Sequence, residues 1–139
     1  MRTAILGCGA MGTILGAYLA RAGCPVDLID SYQEHVDAPN QHGAHIIGTQ
    51  EFTVPVRAIT PEEMMGQYDL VFLFTKQTAN HTVLPCLNRH LRPDSTVCTL
   101  QNGVPEPYVA SQIGPERTVG GTVLWGATFA GPGTSELTQ

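Results

Sequence analysis

An α/β fold with a doubly wound, mostly parallel sheet is predicted by three observations. A glycine turn, Gly7-Cys8-Gly9-Ala10-Met11-Gly12, lies between an apolar strand pattern and an apolar helical pattern at the start of the chain. A second apolar run, Val26-Asp27-Leu28-Ile29-Asp30, closes a β-α-β unit of the usual length, about thirty residues. Farther on, Tyr68 to Thr75 is apolar without polar alternation after Asp69, as expected of a central parallel strand covered on both faces. Together these features describe a Rossmann-type domain over residues 1–139.

The elements follow in order. Thr3 to Leu6 reads as a short buried strand, and Ala10 to Ala22 as a helix stopped at Gly23. Pro25 leads into the second strand, and Ser31 starts a helix through Gln33 to Val36. Gln41 to Val56, with Gly43, Gly48 and alternating β-branched residues, predicts short strands or a hairpin grafted onto the core. Pro61-Glu62-Glu63 has the proline and early acids of a helix start, ending near Gly66. The strand Tyr68–Thr75 is followed by a helix from about Asn80 to Leu91. After Pro93-Asp94 comes the strand Ser95–Leu100; Gly131-Pro132-Gly133 is a turn, and Ser135 to Thr138 reads as a further strand.

The glycine turn carries the first functional expectation. Gly7 allows a tight bend out of the strand, Gly9 lets the backbone approach a pyrophosphate, and Gly12 lets helix and strand pack closely. Unpaired N–H groups and the positive end of the helix dipole then hold an anion without a cationic side chain. The competing reading is an ordinary structural glycine turn; the strand before and the helix after favour dinucleotide binding by Gly7, Cys8, Gly9, Ala10, Met11 and Gly12.

Asp30 stands about twenty residues after the glycines, where a carboxylate accepts hydrogen bonds from an adenine ribose. NADH is therefore expected over NADPH, because a 2′-phosphate would meet Asp30 while no Arg or Lys occurs between Pro25 and Val56. The alternative is that Asp30 caps the turn that follows it.

Composition narrows the partners. With 139 residues the chain holds one domain with a real core, too short for a typical two-domain dehydrogenase. No run approaches the ~18 apolar residues of a membrane span. A net charge of −5 without basic clusters argues against nucleic acid or an anionic membrane as the main partner. Cys8, Cys24, Cys86 and Cys98 lack Cys-x-x-Cys spacing and no signal-peptide pattern opens the chain, so a reduced, cytoplasmic setting is expected. Cys8 could be a thiol activated by the helix N-terminus, but a small side chain tolerated in the turn is the plainer reading. His35, His42, His45, His81 and His90 show no metal-ligand spacing and read as surface or loop residues, so no metal is expected.

Lys76 should emerge at the carboxyl edge of the sheet, where open α/β folds bind ligands. The next strand delivers Gln101-Asn102-Gly103 to the same edge, so Asn102 could reach a nicotinamide or a substrate. Against these stand a solvated loop lysine and an Asn-Gly turn, respectively.

In combination, the chain resembles the ketopantoate reductases, also called 2-dehydropantoate 2-reductases, and their 2-hydroxyacid dehydrogenase relatives. Gly7 to Gly12 matches the family's glycine turn, Thr75-Lys76-Gln77 its strand-end lysine motif, Leu100-Gln101-Asn102-Gly103 its Asn-Gly motif, and Gly121 to Ala127 its glycine-threonine strand. The resemblance implies that Lys76 and Asn102 contact an NAD(P)H cofactor, that Asn102 also positions a 2-oxo acid substrate, and that Ala127 lies beside the cofactor. It implies hydride transfer to the carbonyl of ketopantoate or a related branched 2-oxo acid, in pantothenate biosynthesis. A homodimer is a possible assembly.

Two departures accompany the resemblance. Members that use NADPH commonly have an arginine near the end of the second strand, where this chain has Asp30; the resemblance favours NADPH and the residue favours NADH. Similar proteins also continue into an all-helical domain that supplies a catalytic lysine and a glutamate, and this chain ends at Gln139. A fragment that binds cofactor but is inactive alone is therefore expected. Lys76 is a poor substitute for the absent acid, because nothing in the sequence shows the burial that would tune a lysine for proton transfer. Two other readings stay open: a stand-alone NAD(H) sensor without catalysis, and a Rossmann-like domain for another nucleoside cofactor. The Lys76 and Asn102 motifs argue against the latter, since neither is needed merely to hold a nucleotide.

Overall fold

The computed structural model describes residues 1–138. In chain order the elements are β1 (Thr3–Leu6), α1 (Ala10–Arg21), β2 (Val26–Ile29), α2 (Gln33–His42), β3 (Ala44–Gly48), β4 (Phe52–Val54), β5 (Arg57–Ile59), β6 (Tyr68–Leu73), α3 (Asn80–Asn88), β7 (Leu91–Thr99), α4 (Glu106–Ile113), β8 (Thr118–Gly120), β9 (Ala127–Gly131) and β10 (Thr134–Leu137). Six of the strands form one parallel sheet in the order β5-β2-β1-β6-β7-β8. The doubly wound arrangement predicted from the sequence is present, and its order reverses between β1 and β6. Open α/β folds bind ligands at the carboxyl ends of the strands flanking such a point.

The apolar strands look as they do because both faces are covered. Ala4 and Leu6 of β1, with Val71 and Leu73 of β6, face Leu84 and Leu87 of α3 and Val109 and Ile113 of α4. Ile5 and Leu28 turn the other way, toward Leu15 and Leu19 of α1. Each fully buried Val, Leu or Ile side chain among these contributes about 1.5–3 kcal/mol. At the opposite, amino edge of the sheet, the Tyr68 hydroxyl donates to Asp27 at 2.6 Å, and Arg2 and Arg57 lie 3.6 Å from the same carboxylate.

A second sheet, β4-β3-β10-β9, covers the outer side of α1. The hairpin expected between Gln41 and Val56 is present, since β3 and β4 pair antiparallel, and it joins the core by packing on α1 without pairing with the main sheet. Its partner is β10, parallel to β3 with His45 opposite Thr134. Ile14 and Ala17 of α1 pack against Ala44, Ile46 and Leu137, so α1 is clamped between two sheets.

Several boundaries differ from the sequence reading. The helix after Tyr32 runs to His42 rather than Val36, carrying Pro39 inside it. The helix from Asn80 stops at Asn88, and β7 starts at Leu91, ahead of Pro93-Asp94. Its ladder with β6 breaks between Tyr68 and Leu70, because Pro93 has no N–H to donate and the intervening residues bulge out. Gly121 to Ala127 is not a strand: β8 ends at Gly120, and its ladder with β7 ends at the pair Thr99 and Gly120. One last bond, Gly121 N–H to the Thr99 carbonyl at 3.0 Å, closes that edge before the chain leaves it. Ala127 instead opens β9 in the second sheet, and Gly131-Pro132-Gly133 turns β9 back into β10.

Candidate functional site

The glycine turn is braced from three directions. Gly7 has φ +101°, outside the range of ordinary L-residues, and its N–H donates to Ile29 at 2.9 Å. The Cys8 N–H donates to the Asp30 carboxylate at 2.8 Å, and the Thr13 hydroxyl donates to the Cys8 carbonyl at 3.1 Å. Helix α1 then begins with Gly9 as N-cap, without a side-chain cap and without an acid in its first turn. The first amides of α1, at Ala10, Met11 and Gly12, are thus free to meet an anion, and the helix dipole adds its positive end.

The three glycines differ in what a side chain would meet. At Gly12 a Cβ would overlap the carbonyl oxygen of Gly7, and at Gly7 it would come within 2.9 Å of the Thr75 amide nitrogen. At Gly9 it would meet nothing within 4 Å, and φ there is −74°. Gly7 and Gly12 are demanded by the fold itself; Gly9 is not.

In front of the turn lies a cavity of about 770 Å³ at the carboxyl edge of β1, β6 and β7. Gly7, Gly9, Ala10, Met11 and Gly12 form one wall, and Lys76 and Asn102, both exposed, belong to the others. The structure therefore brings the glycine turn, Lys76 and Asn102 to one site. Cys8, Asp30 and Ala127 are not among the walls: Cys8 is buried behind the turn, Asp30 stands at the end of β2, and Ala127 lies beyond the wall residue Val123. Gln77 of the lysine motif and Thr122 of the Gly121 to Ala127 stretch also face the cavity, and so does Glu106, which sequence reasoning did not single out. Nothing in the local sequence signals Glu106, which the first turn of α4 places there.

Asp30 has the cap role as well as its place after β2. One carboxylate oxygen accepts the Cys8 N–H and the other the Tyr32 N–H at 2.9 Å, so it ties the glycine turn to the start of α2. His35, on α2, has its Nδ1 3.5 Å from Asp30, and its ring lies between those of Tyr32 and Phe129, at centroid distances of 5.5 and 5.3 Å. The surface-or-loop reading of the histidines thus fails at His35, because β9 folds back beside α2 and brings Phe129 against its ring. Among the described residues, no three His, Cys, Asp or Glu side chains gather to hold a metal ion.

Cys8 is only 3% exposed, and burial, followed by the nearby Asp30 charge, pushes its thiol well above the ordinary range. The activated-thiol alternative is overturned. Iodoacetamide at pH 8 should alkylate the exposed Cys24 while leaving Cys8 unmodified until the chain is denatured, as read by peptide mass mapping. Early labelling of Cys8 would show that the turn opens.

Comparison with known proteins bears on this site. The family model described as ketopantoate reductase PanE/ApbA matches residues 3–139. A 2-dehydropantoate 2-reductase from Pyrococcus abyssi is 36% identical over 140 residues, covering 99% of this chain and 45% of that protein. Another, from Streptococcus pyogenes, is 31% identical over 134 residues, covering 96% and 44% respectively. Among solved structures, the ternary structure of D-mandelate dehydrogenase with NADH and anilino(oxo)acetate has a TM-score of 0.90 at 31% identity, over all of this chain and 46% of that one. The chain thus spans less than half the length of these relatives.

Proposed function

This chain belongs to the ketopantoate reductase PanE/ApbA family, and on that premise we propose that it is the NAD(P)H-binding part of a 2-oxo acid reductase. Its relatives are oxidoreductases, and the structures similar to it include complexes with NADH. In this reading a bound nicotinamide supplies the hydride for the substrate carbonyl, while the protein supplies position and electrostatics. The free amides of Ala10, Met11 and Gly12 hold the pyrophosphate at the α1 N-terminus, and Gly7, Cys8 and Gly9 shape the backbone that approaches it. Asp30 accepts from the adenine ribose with the lone pairs its two amide donors leave unused. Lys76 and Asn102 contact the nicotinamide half, Asn102 also orients the 2-oxo acid, and the place of Ala127 beside the cofactor rests on the family resemblance alone. Orientation of this kind is worth several kcal/mol of barrier.

The proton for the carbonyl oxygen is assigned to a lysine of the helical domain that the resemblance implies. The chain alone is then a binding platform without turnover. Asp30, with no Arg or Lys between Pro25 and Val56, makes NADH the favoured cofactor and sets this member apart from an NADPH-using ketopantoate reductase. A bulky or branched 2-oxo acid is the substrate class that accompanies this reading.

One observation carries the proposal: Gly9 has room for a side chain in the folded chain, yet the position is glycine. The room is needed by something that approaches the turn from the cavity, and a pyrophosphate on the α1 amides fits it. Gly9→Val should lower the thermal midpoint by at most about 4 °C, the effect of about 1 kcal/mol at an N-cap. It should nevertheless weaken NADH binding by tenfold or more, about 1.4 kcal/mol, in calorimetric titration. Unchanged NADH affinity in a folded Gly9→Val chain would remove the pyrophosphate from this turn.

A further inference from the structure

We propose that Gln101 is a positioning residue that locks the loop after β6 to the loop after β7, and so sets Lys76 and Asn102 for the nicotinamide half of the cofactor. The inference rests on the proposed NAD(P)H reading of the same cavity, but it concerns a residue that contributes a buried clamp rather than a ligand contact.

Gln101 is 9% exposed, and its amide is saturated. Its Nε2 donates to the Thr75 carbonyl at 2.6 Å and to Asn80 Oδ1 at 2.8 Å. Its Oε1 accepts from Asn80 Nδ2 and from the Thr99 hydroxyl, both at 3.2 Å. Asn80 and Thr99 are themselves buried, so three polar side chains occupy a place between strand ends and helix that apolar residues would fill more simply. A buried polar network of this kind fixes one arrangement, because any partner left unmade costs about 1–3 kcal/mol.

What the network fixes is the backbone next to the cavity. Strand β6 ends at Leu73, and the Thr75 carbonyl, two residues beyond it, finds its donor in Gln101 instead of a neighbouring strand. Lys76 follows at once. In the opposite direction, Gln77 from the β6 loop donates its side-chain amide to the main-chain carbonyl of Asn102 in the β7 loop. The two loops are therefore laced reciprocally: Gln101 reaches across to the residue before Lys76, and Gln77 reaches back to Asn102 itself. Thr75, Lys76, Gln77, Gln101 and Asn102 all line the cavity. The glycine turn shares none of these bonds and meets the clamped backbone only where Gly7 packs beside the Thr75 amide, so the clamp acts first on the half of the site that holds Lys76 and Asn102.

The test separates the two halves of the cofactor. ADP-ribose carries the adenosine and the pyrophosphate without the nicotinamide; NADH carries both. Gln101→Met keeps the side-chain length and removes the amide, and the double variant Gln101→Met with Asn80→Leu also removes Asn80, the one partner whose side-chain amide would lose two bonds to Gln101, while the Thr75 carbonyl and the Thr99 hydroxyl lose theirs in both variants. In the 139-residue chain, either variant should bind ADP-ribose within twofold of the parent. NADH should bind at least fivefold more weakly and lose the change in nicotinamide fluorescence that accompanies binding to the parent. If the single variant does not fold, the double variant gives the reading. Equal losses for both ligands, or no loss for either, would overturn the positioning role. Failure of the parent to bind ADP-ribose would instead overturn the cofactor reading beneath it.

Discussion

Gly12→Ala should be among the most damaging single-methyl additions in this chain. The added Cβ would overlap the carbonyl oxygen of Gly7, which is backbone of the same turn and is held by the Gly7 N–H bond to Ile29. It cannot move aside as a flexible side chain would, so α1 must rise off β1. Overpacking of this kind costs about 3 kcal/mol, a large share of the 5–15 kcal/mol that stabilises a typical domain. A fall in thermal midpoint of roughly 6–12 °C is expected, followed by circular dichroism. Gly16→Ala provides the internal control. Its Cβ would meet the end of the Leu28 side chain, which can rotate away, so the midpoint should fall less. Equal midpoints for Gly12→Ala and the parent would mean that α1 does not sit as close to β1 as the turn implies.

The contrast between Gly12 and Gly9 shows where sequence reading succeeds and where it stops. Both glycines were legible as parts of one motif, because the strand, the turn and the helix are contiguous and each signal is local. Which glycine serves the fold was legible as well, since the motif gives the bend to Gly7 and the helix–strand packing to Gly12; what the sequence does not carry is how closely Gly12 approaches the Gly7 carbonyl, which is a distance between atoms. Lys76 and Asn102 could be placed at one edge because each directly follows an apolar strand, and parallel strands share their carboxyl end. The Gln101 clamp could not be seen, because it needs the loops after β6 and β7 to stand side by side, and no local pattern reports that. The second sheet was hidden for a similar reason: β3 pairs with β10, and His45 finds Thr134 only when the chain has returned from the far side of the main sheet. The expected strand from Gly121 to Ala127 failed because the ladder with β7 ends at Gly120. Asp30 was legible in position but not in full, since its bonds to the Cys8 and Tyr32 amides depend on the bend of the turn.

Asp30→Arg should reverse the cofactor preference, and its double role dictates how the result must be read. Arginine accepts no hydrogen bond, so the Cys8 and Tyr32 amides, now bound at 2.8 and 2.9 Å, both lose their partner. That loss costs about 1–3 kcal/mol for each group that stays buried, and it should weaken NADH and NADPH alike by loosening the turn. The electrostatic effect is different, because it acts on one cofactor only. A carboxylate beside a 2′-phosphate is a like-charge contact, and replacing it by a guanidinium turns repulsion into a bidentate attraction. The ratio of NADPH to NADH affinity should therefore rise by ten- to a hundredfold, about 1.4–2.8 kcal/mol, even as both affinities fall. Asp30→Asn separates the two effects: it keeps one acceptor for the turn, removes the charge, and should move the ratio by less. Titration of both cofactors against both variants at fixed salt gives the measurement. An unmoved ratio in Asp30→Arg, with the expected loss of stability, would leave Asp30 as a turn cap and return the preference to residues elsewhere on the adenosine side.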